Sequence, residues 1–231
     1  MAFTNAAHVL EGQHFLSESK RMTLAQLFRS YQLLLDKADG AFNQMVSLRG
    51  NSIKCGRHCS DCCHAVFGLF LIEAAFLKQR FDELDKKLIH EALLRCNETE
   101  RSLRRLEVKF RNYEDDPAMQ ALLLAQERVR CPLLSESEEC ILYSSRPITC
   151  RVYGIPTRIQ GKPRVCWKSG FKNGESYPLF DLDSAYQGLF ELSKAFLSQQ
   201  GNEDPERASL LFSLPKVLIA PVESLIKGDL G

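Results

Sequence analysis

Little in this 231-residue chain points to a membrane, an export route or a repeat array. Its longest apolar runs, AVFGLFLIEAAFL and LLFSLPKVLIAPV, fall short of a bilayer span, and they carry Glu73 and Pro215. The opening MAFTNAAHVLEGQHFLSESKR has no basic segment followed by an apolar one, so no secretory leader is expected. A cytoplasmic protein is the expectation, and cytosolic thiols stay reduced. Internal repeats and low-complexity tracts are absent. A dominant charge is also missing: 30 Lys and Arg face 29 Asp and Glu, for a formal +1 with every thiol counted neutral, which excludes a general polycation or polyanion. No G-x-G-x-x-G follows a strand-like segment, so no conventional nucleotide or S-adenosylmethionine pocket is expected.

What remains is an ordinary globular composition, 45% apolar and 26% charged, long enough for a single domain over 1–231 with a sizeable core. Helical periodicity dominates. From Leu24, the positions Leu27, Phe28, Tyr31, Leu34, Leu35, Ala38, Phe42, Met45 and Leu48 recur at three and four residues, the stripe of an amphipathic helix. Residues 64–81 are apolar almost all round and predict the most buried helix. A charged segment follows, with Ile89, Leu93, Cys96, Leu103, Leu106, Phe110 and Tyr113 on one long face. Asp116 and Pro117 read as the N-cap and first position of another helix, and 181–198 as a further one starting near Asp181 or Asp183. Residues 131–180 differ, with five prolines beyond Cys131 and little periodicity, so apolar burial alone would not order them. Residues 201–231 read as a packed C-terminal extension, since Leu210, Leu211, Phe212, Val217, Leu218 and Ile219 would be costly to expose.

Nine cysteines stand out against this background. In CGRHCSDCCH, four thiols crowd into residues 55–63. A helix there would put all four on one face; a helix starting only near Ser60 or Asp61 would put Cys62 and Cys63 in its first turn, where free N–H groups favour thiolate. Either arrangement presents converging sulfur to a soft or borderline cation. Burial accounts for one or two such residues, and disulfides need an oxidising compartment and leave an odd thiol. Redox chemistry of Cys59-x-x-Cys62 has no thioredoxin-like pattern beside it. Neighbouring side chains diverge, so Cys62 and Cys63 can serve different metal atoms. A second group, Cys131, Cys140, Cys150 and Cys166, is too widely spaced for one helix face, and metal binding would offset the ordering entropy of its loops. Cys96 lies on an apolar stripe and reads as a small hydrophobe.

Between Cys140 and Gly174 there is no Asp or Glu, while Arg146, Arg151, Arg158, Lys162, Arg164, Lys168 and Lys172 lie there, and Lys54 and Arg57 flank the first group. These cations would offset the charge of a thiolate-bound centre. With Tyr143, Tyr153 and Trp167 they also allow a nucleic-acid surface, which the overall charge does not support. His58 and His64 have little need to ligate beside eight sulfurs, and no Ser–His–Asp triad is recognisable around Ser60 and Asp61. Glu73, the lone acid of an apolar helix, predicts an ion pair with a buried arginine such as Arg146 or Arg151 rather than a catalytic carboxylate.

The order CGRHCSDCCH, CPLL, CILYSSRPITCR and a following YG resembles the CxxCxxCC cysteine-cluster family, often called YkgJ-like, over roughly residues 50–170. The resemblance implies a zinc- or iron-chelating core at 50–170, with Cys55, Cys59, Cys62, Cys63, Cys131, Cys140, Cys150 and Cys166 as ligand candidates. Family members often carry a glycine-containing turn before the cysteine at 140, where this chain has SESEE. The family includes flagellin lysine N-methylases, which makes a methylase with the cluster near its active site an alternative function. A zinc-scaffolded nucleic-acid or protein interaction module is another.

Eight thiolates suit two closed Cys₄ zinc sites or an iron–sulfur cluster with sulfurs to spare. The vicinal pair and helical frame depart from a zinc ribbon and favour iron–sulfur. The expected molecule is mainly α: a helix bundle supporting a loop-rich, cysteine-lined metal centre, structural or electron-transferring, with a protein partner or protein substrate and no membrane.

Overall fold

The computed structural model describes residues 22–56, 58–172, 174–202 and 204–227. The opening segment, Arg57 and the final four residues of the C-terminal extension lie outside the described residues, and with them fall the leader expectation and one flanking cation.

The first helix, α1 (Leu24–Arg49), starts where Thr23 accepts from the Gln26 N–H and Gln26 reaches back to the Thr23 N–H, a reciprocal cap. Its buried stripe is Leu27, Tyr31, Leu35, Ala38 and Met45. Helix α2 (Leu71–Asp82) is the most buried element, as its composition predicts, but it begins seven residues later than 64. The physical reason lies in the chain's other end. Leu69 and Phe212 exchange backbone hydrogen bonds at 2.9 Å in each direction, so the first half of the apolar run is extended, not helical. Gly68 permits the crossing, because a Cβ there would sit 2.6 Å from Leu211 Cβ.

Helix α3 (Lys86–Arg111) opens on the Asp85 cap and turns Ala92, Cys96, Thr99 and Leu106 inward. Helix α4 (Pro117–Gln126) has Asp116 accepting from Met119 N–H and Pro117 at its first turn, as the sequence predicts. A five-residue helix, α5 (Ile148–Val152), sits inside the loop-rich segment. It is followed by a small sheet that periodicity did not reveal, of strands β1 (Thr157–Ile159), β2 (Lys162–Arg164) and β3 (Phe180–Asp181), ordered β2-β1-β3. Strand β1 pairs antiparallel with β2 and parallel with β3. Gln160 and Gly161, both at positive φ, form its two-residue turn, and the Asp183 carboxylate accepts from both of their N–H groups.

Helix α6 (Leu182–Gln199) is capped by Asp181. Three short helices, α7 (Pro205–Ser209), α8 (Leu214–Ile219) and α9 (Val222–Lys227), complete the described chain. Helix α1 packs on α5 and α6, α3 packs on α8, and α2 is enclosed by α1, α6, α8 and α9. One contiguous apolar cluster joins them. The C-terminal extension contributes Phe212, Val217, Leu218 and Leu225 to it, whereas Leu210, Leu211 and Ile219 are about half exposed, against expectation. An extended segment turns alternate residues to opposite faces, and a six-residue helix can bury only one stripe. Among the described residues no helix is long and apolar enough to cross a membrane.

Candidate metal centre

The first cysteine segment does not form a helix over 55–63. His58 has φ of 64°, which breaks any helix, and Cys59 N–H closes a tight turn on Gly56 O at 3.1 Å. A single 3₁₀ turn follows at Asp61–His64, with Cys63 N–H on Ser60 O at 2.9 Å. Cys62 and Cys63 therefore lie in a first turn, as the shorter of the two helical expectations has them.

Backbone hydrogen bonds bring the later cysteines to this turn. Cys131 N–H donates to Cys63 O at 2.7 Å and Val129 N–H to His64 O at 3.0 Å. A tight hairpin then pairs Leu134 with Cys140, its turn carried by Glu138 at positive φ, so SESEE makes without glycine the bend the sequence needs. A 3₁₀ turn at Tyr143–Ser145 and Pro147 lead into α5, which carries Cys150. Gly170 N–H returns the chain to Ser52 O at 2.7 Å, setting Cys166 beside Cys55.

All nine cysteines are free thiols, and Cys96 is fully buried apart from the others in the helical core. The eight candidates gather in space, but their grouping cuts across the chain. Cys62, Cys63, Cys131, Cys140 and Cys150 line one cavity of about 300 Å³, whose other walls are largely apolar. Cys55, Cys59 and Cys166 line a separate recess with Lys54, Gly154 and Lys168. Cys59 also faces a neighbouring cavity that Cys62, Cys63, Cys140 and Arg146 share, so the two nests adjoin. Among the described residues, no three cysteine, histidine or acidic side chains already stand about a common point as metal ligands. Cys63 and Cys150 instead donate to Cys62, and Cys166 donates to Asp61.

The electrostatics explain what such a set requires. Burial pushes Cys55 up to about 12, with Cys59, Cys166 and Cys62 adding to it, and burial with Cys140 pushes Cys131 up to about 12. Cys140 is raised by burial although Arg146 opposes it. Cys150 and Cys63 are raised by donating hydrogen bonds to Cys62, with burial second. Cys62 moves down: Cys150 and Cys63 donate to its sulfur, and Arg146 assists against burial. One thiolate is thus stabilised at the expense of its neighbours. All can ionise together only around a cation that compensates them, which is the donor chemistry of a metal site.

Three residues around the sulfurs behave differently from their sequence expectations. Glu73 is buried but has no arginine partner among the described residues. Its Oε1 accepts from Tyr31 Oη at 3.3 Å and from Ile148 N–H, at the start of α5, at 3.2 Å, while Oε2 accepts from Phe70 N–H at 3.4 Å. The expected ion pair fails because Arg151 is drawn elsewhere, to Asp39 and to the carbonyls of Ser144 and Arg146. Burial leaves the Glu73 carboxyl raised to about 7 despite these three donors. Arg146 turns to the cavities, stacked 3.6 Å from the Tyr143 ring centre with Nε on Tyr143 O.

Asp61 is the residue that sequence reasoning missed as part of the site. It is only 1% exposed, and its Oδ1 accepts from Arg128 at 2.8 Å and lies 3.2 Å from Lys168 Nζ. Burial pushes its carboxyl up, but Lys168, Arg128 and Cys166 outweigh that and hold it below the usual range. Its place between two cysteines was the available signal. His58 is exposed, and His64 sets Nδ1 3.0 Å from Ser60 O, so neither ring is committed to the sulfurs.

Gly154, the glycine of the YG pair, is where backbone and sulfur meet. A Cβ at 154 would run into Cys55 Sγ. Gly154→Ala is expected to displace Cys55 and destabilise the fold by about 1–3 kcal/mol, measured by urea unfolding, with loss of any metal held at Cys55.

A mainly helical scaffold that carries eight thiols from two distant segments to adjoining nests defines a cysteine-rich metal-chelating class of protein. Residues 54–167 match the model of the CxxCxxCC family, described as "Putative zinc- or iron-chelating domain", so over that span the chain is similar to that family. Comparison with curated proteins and with solved structures gave no match.

Proposed function

We propose that the five-sulfur nest holds an iron–sulfur cluster and that the protein serves as a metal-centre protein with a structural or electron-transfer role. The observation that carries this reading is the cavity of about 300 Å³ lined by Cys62, Cys63, Cys131, Cys140 and Cys150. A lone zinc ion in a closed Cys₄ shell draws sulfurs to about 2.3 Å and leaves no such space, whereas a cluster of several atoms needs room and four thiolates. When bound, a cluster would supply one-electron redox chemistry. The chain's own part is to position the sulfurs, exclude water with the apolar walls and set the Arg146 guanidinium against the negative charge.

The cations of the 140–174 segment support this reading over a nucleic-acid surface. Arg151 pairs with Asp39, Arg158 with Asp181 and Lys168 with Asp61, so three of them are already engaged by the protein's own carboxylates. Protein purified without oxygen tests the proposal. Brown protein with iron and acid-labile sulfide that depend on Cys140 is the expected result; colourless protein with zinc and no iron overturns it.

A further inference from the structure

One of the three sulfurs outside the cluster nest has a carboxylate partner. Cys166 Sγ donates to Asp61 Oδ2 at 3.5 Å, in a recess where Cys55 and Cys59 adjoin Cys166. Tetrahedral zinc holds sulfur at about 2.3 Å and carboxylate oxygen at about 2.0 Å, which places the two ligand atoms about 3.5 Å apart. The Cys166–Asp61 separation already equals that value. The two oxygens of Asp61 are also divided in role. Oδ1 is taken by Arg128 and Lys168, and Oδ2 is turned to the sulfur.

We propose that Cys55, Cys59, Cys166 and Asp61 Oδ2 form a second, mononuclear zinc-type site, separate from the five-sulfur nest. The proposal rests on the metal-chelating reading of the centre but not on the identity of what the larger nest holds. Binding a divalent ion exchanges the S–H hydrogen bonds of the metal-free arrangement for metal–sulfur bonds. Three protons leave, one from each thiol, and none from Asp61, which is already ionised. The resulting centre is net negative. Lys168 and Arg128, hydrogen-bonded to the far oxygen of the ligating carboxylate, compensate it and fix the carboxylate's orientation, the usual task of groups behind a metal ligand. Gly154 leaves Cys55 the room to stand there.

The test uses the full chain, stripped of metal under anaerobic conditions and titrated with Zn²⁺ by equilibrium dialysis and with Co²⁺ by visible spectroscopy. The Cys131→Ser/Cys140→Ser variant, which disables the larger nest, is expected to retain about one zinc ion per chain. Asp61→Asn is expected to weaken that ion about 100-fold and to shift the cobalt bands. Arg128→Met/Lys168→Met breaks the same ion pairs but leaves Oδ2, and is expected to weaken it no more than about tenfold with the bands unmoved. Unchanged affinity and bands in Asp61→Asn overturn the assignment of Asp61. Should the serine variant not fold, zinc-edge absorption on the wild type decides: about three sulfurs and one oxygen around zinc support the site, and four sulfurs overturn it. Iron and sulfide without zinc would sink this site alone, and zinc without iron would sink only the cluster.

Discussion

Cys62→Ser is expected to abolish retention of iron and sulfide and to lower the unfolding temperature by about 10 °C or more. Cys62 lines both cavities of the larger nest, accepts hydrogen bonds from Cys63 and Cys150, and is the sulfur that Arg146 helps to ionise. Removing it deprives two neighbouring thiols of their acceptor and the nest of its thiolate. Metal binding contributes directly to the folding free energy of segments that cannot order themselves by apolar burial. The loss is therefore several kcal/mol, and in a chain of this size each kcal/mol is worth roughly 2–4 °C. Metal analysis and a thermal melt on anaerobic protein check both parts. Cys96→Ser, remote from the nest, should leave the metal content unchanged and so separates ligation from general cysteine burial.

The second large effect concerns Glu73. Glu73→Ala strands the Tyr31 hydroxyl and the Ile148 and Phe70 N–H groups in a dry interior, at a cost of about 2–4 kcal/mol. Glu73→Gln is the informative substitution, because its amide oxygen keeps the Oε1 bonds and carries no charge. The Glu73 carboxyl is raised from 4.5 to about 7 on folding. Between those values the folded protein holds a proton that the unfolded chain has released, so stability is full below pH 4.5 and falls as pH rises through 7. The fall amounts to about 3 kcal/mol. The wild type should lose that much relative to Glu73→Gln between pH 4.5 and 8 in urea unfolding. A parallel pH dependence in both proteins would remove Glu73 as its source.

The elements that follow from local periodicity and caps were legible in the sequence. Asp116 and Asp181 start their helices by side-chain hydrogen bonds within three residues, and the apolar stripes of α1 and α3 need only helical geometry. The start of α2 was not legible, because it depends on Phe212, 143 positions away from Leu69, taking the backbone of the apolar run into a bridge. The same limit governs the site. Eight sulfurs converging was readable from spacing and resemblance, but their division was not. Whether Cys62 joins Cys59 or Cys150 is decided by one positive φ at His58 and by a backbone bond from Cys131 to Cys63. Glu73 shows the converse: a buried acid was evident, yet its partners are backbone groups, which no pattern of arginines reveals.

The backbone bond from Cys131 to Cys63, and the return of Gly170 to Ser52, have a temporal meaning. Cys55 and Cys166 lie 111 positions apart (166 minus 55), a stretch that a ribosome takes roughly 5–20 s to make. During that interval the vicinal thiols have emerged while their later companions have not. Neither pocket can be completed during that interval, and the early sulfurs then stay unoxidised only in reducing surroundings.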